Sequence, residues 1–271
     1  MTNEVEPHTD DESADEVARS SLPDPAPALE APEPQLPLPI PAIPSAVPTM
    51  QAPILLAIDT CTSRSSIALR DAHMLRAECS WESDRHHTAA VSAQIRRLMA
   101  ACGIGAEQIG AVAVALGPGS FTGVRCGLAI AKGMAAARGM ALIGVSALDV
   151  TAAAQPDLGM PIYAAVEIGR SRVALARYEW QNGAATAAGD WSIQGWKDFA
   201  ASVTAPAWVC GDLSAGLVEL LKDHATIAPA PLNLRRAGYL AEIGYRRWQN
   251  GDISDPLALI PIYPSENQGV N

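Results

Sequence analysis

Aromatic residues and metal-binding patterns are scarce in this 271-residue chain, and each scarcity excludes something. Aromatics make up 5% of the residues, with two phenylalanines. No basic patch with interleaved aromatics marks an RNA surface. The five cysteines (Cys61, Cys79, Cys102, Cys126, Cys210) are odd in number and scattered, with no C-x-x-C pair. That argues against a disulfide framework and a zinc ribbon and suits a reducing cytosol. No H-x-x-x-H or H-E-x-x-H occurs; His86 and His87 are adjacent, so one helix face cannot aim both rings at one metal. Lysine is nearly absent, three against 16 arginines, which reads as a coding bias and not as a nucleic-acid signature. The N-terminus lacks the basic region of a secretory signal. The longest charge-free stretch, residues 34–58, has prolines every two or three residues through most of its length, so it forms no membrane-spanning helix.

The formal charge of −10 conceals two unlike polymers. Residues 1–53 carry 10 acidic residues, one basic residue, 12 prolines and no glycine. They are expected to be disordered, because such a segment cannot bury enough apolar area to offset its ordering entropy. The run 34–48 favours polyproline II, as a passive linker in preference to a PxxP ligand. Met50 stands immediately before the apolar body and is an alternative translation start. Residues 54–271 carry 18 basic and 19 acidic residues, close to neutrality.

The body opens with an apolar run, 54–58, that reads as a buried central strand ending at Asp59 and Thr60. Strands follow at 65–70 and 74–81. Residues 86–102 have helical spacing, with Val91, Ile95, Leu98 and Met99 on one face and Gly103 as a C-cap. A strand at 111–116 leads into Gly117, Pro118, Gly119, Ser120, Phe121, Thr122 and Gly123, and then a helix over 124–138. Weaker strands at 162–167, 172–178 and 207–210 and helices at 214–224 and 235–250 suggest a reduced second copy of the first layout. The order is that of a mixed-sheet α/β protein.

The glycine loop fails three tests. A Walker A loop needs Lys and Ser or Thr after its last glycine, where Val124 and Arg125 stand. A dinucleotide fingerprint needs glycine in place of Thr122, and a nucleophile elbow needs it in place of Pro118. Two readings stay open: anion contact through exposed amides, with Arg125 near, or a purely structural turn capped by Ser120 or Thr122. Asp59 is either a holder of magnesium-bound water or the cap of its own turn. On the following helix, Gly123, Gly127, Ala131 and Ala135 form a stripe of small side chains. It allows another backbone to approach closely, either the chain's own sheet or a partner. Leu128, Lys132 and Arg125 lie off that stripe and are candidates to face a partner.

The segments ILLAIDT (54–60), RHHT (85–88), GPGSFTGVRCGLAIAKGMA (117–135) and GVSALD (144–149) resemble the TsaB (YeaZ) family, strongly over 54–148. The resemblance implies an actin/Hsp70-like ATPase fold with two ribonuclease-H-like lobes, the second reduced. The expected boundaries are a tail at 1–53, lobes at 54–150 and 151–264, and a short tail at 265–271. It implies a non-catalytic scaffold in the cytoplasm, active in the modification that places threonylcarbamoyl on the adenosine beside a tRNA anticodon. The implied partners are the catalytic paralogue TsaD and the ATPase TsaE, with a homodimer when TsaD is absent and tRNA reached only through the complex. The implied interface is Val91, Ile95, Leu98, Met99, Leu128 and Lys132, with Asp59 and Thr60 as a vestigial nucleotide-site turn. No cofactor or metal is expected in this chain; ATP or ADP would enter at the level of the complex. The alternatives are a glycoprotease-like peptidase and an autonomous actin-like ATPase or sugar kinase.

Overall fold

β1 (Ile54–Asp59) is buried along its whole length, as a central strand with both faces covered must be. It pairs antiparallel with β2 (Arg64–Arg70), which pairs antiparallel with β3 (Leu75–Glu82). On its other side β1 pairs parallel with β4 (Ile109–Ala115), and β4 with β5 (Ala141–Val145), so the sheet order is β3-β2-β1-β4-β5. The crossovers are α1 (His87–Ala101), between β3 and β4, and α2 (Phe121–Arg138), between β4 and β5. The computed structural model describes residues 53–82 and 87–263. Of the disorder expected over residues 1–53, residues 1–52 lie outside the described residues, as do Arg85 and His86 of the RHHT segment and the expected tail at 265–271.

After α3 (Ala147–Ala153), β6 (Ile162–Glu167) pairs antiparallel with β7 (Arg172–Gln181), against which β8 (Ala184–Ala187) and β9 (Ser192–Gly195) both align. α4 (Trp196–Ser202) precedes β10 (Trp208–Asp212), which lies parallel to β6. α5 (Ala215–Leu221) leads to β11 (Thr226–Ile227), parallel to β10, and α6 (Ala230–Asn233) follows. The second sheet, β11-β10-β6-β7-β8, therefore repeats the first in its strand order. β6, β7, β10 and β11 take the places of β1, β2, β4 and β5, while β8 and β9 share the third place. This is the mixed α/β fold with two like sheets expected from the sequence.

Alternation along β1 sends its two faces into different cores. Leu56 and Ile58 join Val91, Ile95, Leu128 and Ala131 under α1 and α2. Leu55 and Ala57 join Ala237, Leu240 and Ala241 of α7 (Ala237–Gln249) on the opposite face. α7 thus packs on the first sheet, although its place in the sequence suggested the second lobe. The helix was legible from its spacing, but the sheet it would cover was not.

Candidate functional site

Two places in this fold gather groups with chemical potential: the junction between the sheets and the outer face of α1 and α2. Asp59 ends β1 and Asp212 ends β10, so each sheet delivers one carboxylate from a parallel strand's C-terminal end. Arg235, two residues before α7, joins them. Its Nε donates to Asp59, its Nη1 to Asp212 at 3.4 Å, and its Nη2 to Thr62 Oγ1 at 3.2 Å. The side chains of Arg235 and Asp59 are 5% and 1% exposed. Burial opposes the Arg235 charge, but Asp59 and then Asp212 outweigh it and hold the guanidinium above its usual range. The second oxygen of Asp59 accepts from Cys61 N at 2.9 Å.

Asp212 and Thr62 also line a cleft of about 690 Å3, together with Ser63, Ser120, Glu167 and Arg172. Glu167 accepts from Ser214 N, the N-cap residue of α5. A guanidinium occupies the place beside Asp59, and the cleft presents the carboxylates of Glu167 and Asp212 together with the cation of Arg172. Among the described residues, no three His, Cys, Asp or Glu side chains gather as a metal site. Asp59 caps its turn and holds Arg235. The sequence offered no signal for this pairing, because Arg235 lies 176 residues away.

The glycine loop is fastened to the turn after β1. Ser120 N donates to Cys61 O, and Thr60 Oγ1 donates to Gly123 O at 2.6 Å. A Cβ on Gly119 would lie 2.1 Å from Cys61 O, and one on Gly123 2.0 Å from Thr60 O. The glycines are needed for this close approach of two backbones. Ser120 caps α2, accepting from Gly123 N at 3.3 Å, so the helix begins at Phe121 and not at Val124. Thr122 lies exposed in its first turn. Gly117 O accepts from Ala147 N at 2.8 Å, tying the loop to α3 as well. Pro118 follows Gly117 through a cis peptide bond. Phe121 and Tyr263 stack at 5.2 Å, and the Arg125 guanidinium sits 3.5 Å from the Phe121 ring centre.

Of the six residues expected to meet a partner, Val91, Ile95 and Leu128 are 0%, 6% and 5% exposed, buried against the chain's own first sheet. They are core residues. A helical period identifies the apolar face but not what covers it. Leu98, Met99 and Lys132 are half-buried and remain at the surface. The small stripe of Gly123, Gly127, Ala131 and Ala135 is buried too; a Cβ on Gly127 would lie 2.4 Å from Thr60 Oγ1. That stripe seats α2 on its own sheet. A second line, Arg125, Ala129, Gly133 and Ala136, is exposed. Sequence reasoning named Arg125 of this line but missed Ala129, Gly133 and Ala136, which follow it at helical spacings of four, four and three residues.

Cys61 is fully buried, and burial, then Asp59, push its thiol well above the ordinary range, the reverse of an activated cysteine.

The comparisons with known proteins agree with this architecture. Residues 81–194 match the family model described as TsaD: tRNA N6-adenosine threonylcarbamoyltransferase. The tRNA threonylcarbamoyladenosine biosynthesis protein TsaB of Haemophilus influenzae is 38% identical over 112 residues, 40% of this chain and 46% of that protein. The Escherichia coli TsaB is 34% identical over 127 residues, 46% of this chain and 54% of that protein. The chain spans about half the length of the curated relatives it matches. The solved structure of YeaZ from Pseudomonas aeruginosa superposes with a TM-score of 0.68 at 26% identity, over 78% of this chain and 99% of that one. The aligned sequence and the shared two-sheet fold lead to one conclusion: over the matched residues the chain is similar to TsaB proteins, and in fold it is similar to YeaZ.

Proposed function

We propose that this chain is a non-catalytic subunit in the synthesis of threonylcarbamoyladenosine on tRNA, acting by pairing with a TsaD-type transferase. The observation that carries the reading is the outer face of α1 and α2. The helices pack against each other and the first sheet through Val91, Ile95, Leu128 and Ala131. They leave Ala129, Gly133 and Ala136 exposed and Leu98, Met99, Ile130 and Met134 half-buried. A helix pair with that surface can contribute to a specific interface of roughly 1,200–2,000 Å² in total. The junction between the sheets supports a non-catalytic role, since its carboxylates are engaged by Arg235 and Ser214 N. In this reading nucleotide, TsaE and tRNA are met through the complex, in the cytoplasm.

A Cβ on Gly133 would meet nothing within 4 Å, so a bulky side chain there leaves the fold intact and obstructs a partner. The chain and the transferase of the same source should co-elute, and Gly133→Trp should abolish co-elution without lowering the melting temperature. A Gly133→Trp protein that still co-elutes would move the interface elsewhere.

A further inference from the structure

A cavity of about 560 Å3 lies between α7, α3 and the β7–β8 hairpin, on the side of the first sheet away from α1 and α2. It shares no residue with the arginine junction, and its volume suits a small organic molecule. Its walls are of two kinds. α3 and β8 offer Ala153, Ala184, Ala185 and Ala187, which are too small to fill the space. Trp180 of β7 and Tyr239 of α7 bring rings to it, and the Trp180 indole is held by donating to Pro156 O at 2.8 Å. The charges around the cavity are unequally partnered. Glu242 meets Arg70 at 2.9 Å and Arg246 at 3.6 Å. Arg247, whose charge reaches Asp149, is committed to Asp252 at 2.6 Å and to Gly144 O at 2.8 Å. Asp149 accepts from the Tyr178 hydroxyl at 2.7 Å and makes no ion pair among the described residues. Burial raises its carboxyl above the usual range, as happens to a half-buried acid short of positive charge.

We propose that this cavity binds a small organic monocation, a primary ammonium carried on a flat aromatic body, with the ammonium on Asp149 and the ring against Trp180 and Tyr239. The site is independent of the pairing reading above. A cation is the charge that Asp149 lacks, and its arrival offsets the cost of a carboxylate held partly out of water. An anion would instead face Asp149 and Glu242 with like charge. The alanine walls leave room for a flat body and offer it no polar partner. The two rings stack with an aromatic body and attract an ammonium at their faces.

The test titrates phenethylammonium into the full chain and follows binding by ligand-observed NMR. Phenethyl alcohol serves as the same body without the charge, and Nα-acetyl-lysine amide as the charge without a ring. Phenethylammonium should bind with a Kd of about 1 mM or tighter, as a fragment of its size can. Each of the other two should bind about tenfold more weakly or worse. Asp149→Asn keeps the shape of the side chain and removes its charge, and it should weaken phenethylammonium binding by about tenfold or more. Thr186 is exposed on the cavity wall, so Thr186→Trp should fill the space and abolish binding while the melting temperature stays that of the parent. Binding lost in Thr186→Trp and weakened in a folded Asp149→Asn supports the proposal. No binding of phenethylammonium up to about 10 mM overturns it. Equal binding of phenethyl alcohol or of the lysine amide overturns it, as does binding that survives both variants.

Discussion

Arg235, at the junction of the sheets, is buried and holds Asp59, Asp212 and Thr62; Arg97, on the outer helices, is exposed and makes no ion pair among the described residues. The contrast separates architecture from recognition. A buried guanidinium must be satisfied by its own chain, because desolvating an unpaired charge costs several kcal/mol. An exposed one is solvated at little cost and stays available to whatever docks on it. The junction between the two sheets is held by the chain's own arginine. The surface freed of ion pairs lies on the helices outside it.

The largest expected effect breaks the buried half of this comparison. Arg235→Met leaves Asp59 buried without its counter-charge and should cost about 3–5 kcal/mol in urea unfolding. Arg97→Met should stay within about 0.5 kcal/mol of the parent. Equal losses for the two variants would erase the distinction between the sites. A second pair sets the two faces of α2 against each other. Gly123→Ala drives a Cβ to 2.0 Å from Thr60 O and should cost about 1–3 kcal/mol or more. Gly133→Ala meets nothing within 4 Å and should stabilise by up to about 1 kcal/mol, since glycine is a poor helix former. Thermal melts of the two variants read the opposite signs directly.

The smallest effect concerns Asp149, half-buried beside Tyr178, whose hydroxyl donates to it at 2.7 Å. Burial raises the carboxyl above its usual range, against smaller opposing contributions from Tyr178 and Arg247. A carboxylate with a raised folded-state pKa contributes its stability in full below the unfolded-state value and loses it as pH rises through the folded one. Asp149→Asn should therefore melt higher than the parent near neutral pH, and the gain should fade on acidification past the carboxylate range. A gain that grows toward acid pH would reverse the sign of that account.

The first lobe was the more legible because its signals are local. The apolar run before Asp59 is β1, Ser120 caps α2, and the glycines of the loop stand where two backbones meet. β5 and α3 escaped sequence reading, since the short apolar ALIGV carries no alternation and no clear turn residue separates the strand from the helix after it. The candidate site was legible in part. Spacing found the apolar faces of α1 and α2 but could not tell core from contact, so Val91, Ile95 and Leu128 were read as partner residues. Arg235 was invisible because nothing in the local sequence marks an arginine whose partners sit on two other strands.

The central claim is that the α1–α2 face makes a transferase competent. The direct measurement is threonylcarbamoylation of tRNA by the cognate TsaD-type subunit, supplied with TsaE and the threonylcarbamoyl donor, in the presence of this chain or of its Gly133→Trp variant. The account predicts modification that depends on the wild-type chain and is lost with the variant, while Arg97→Met retains most of it at high protein concentration. Full modification with Gly133→Trp, or with no added chain, would contradict it.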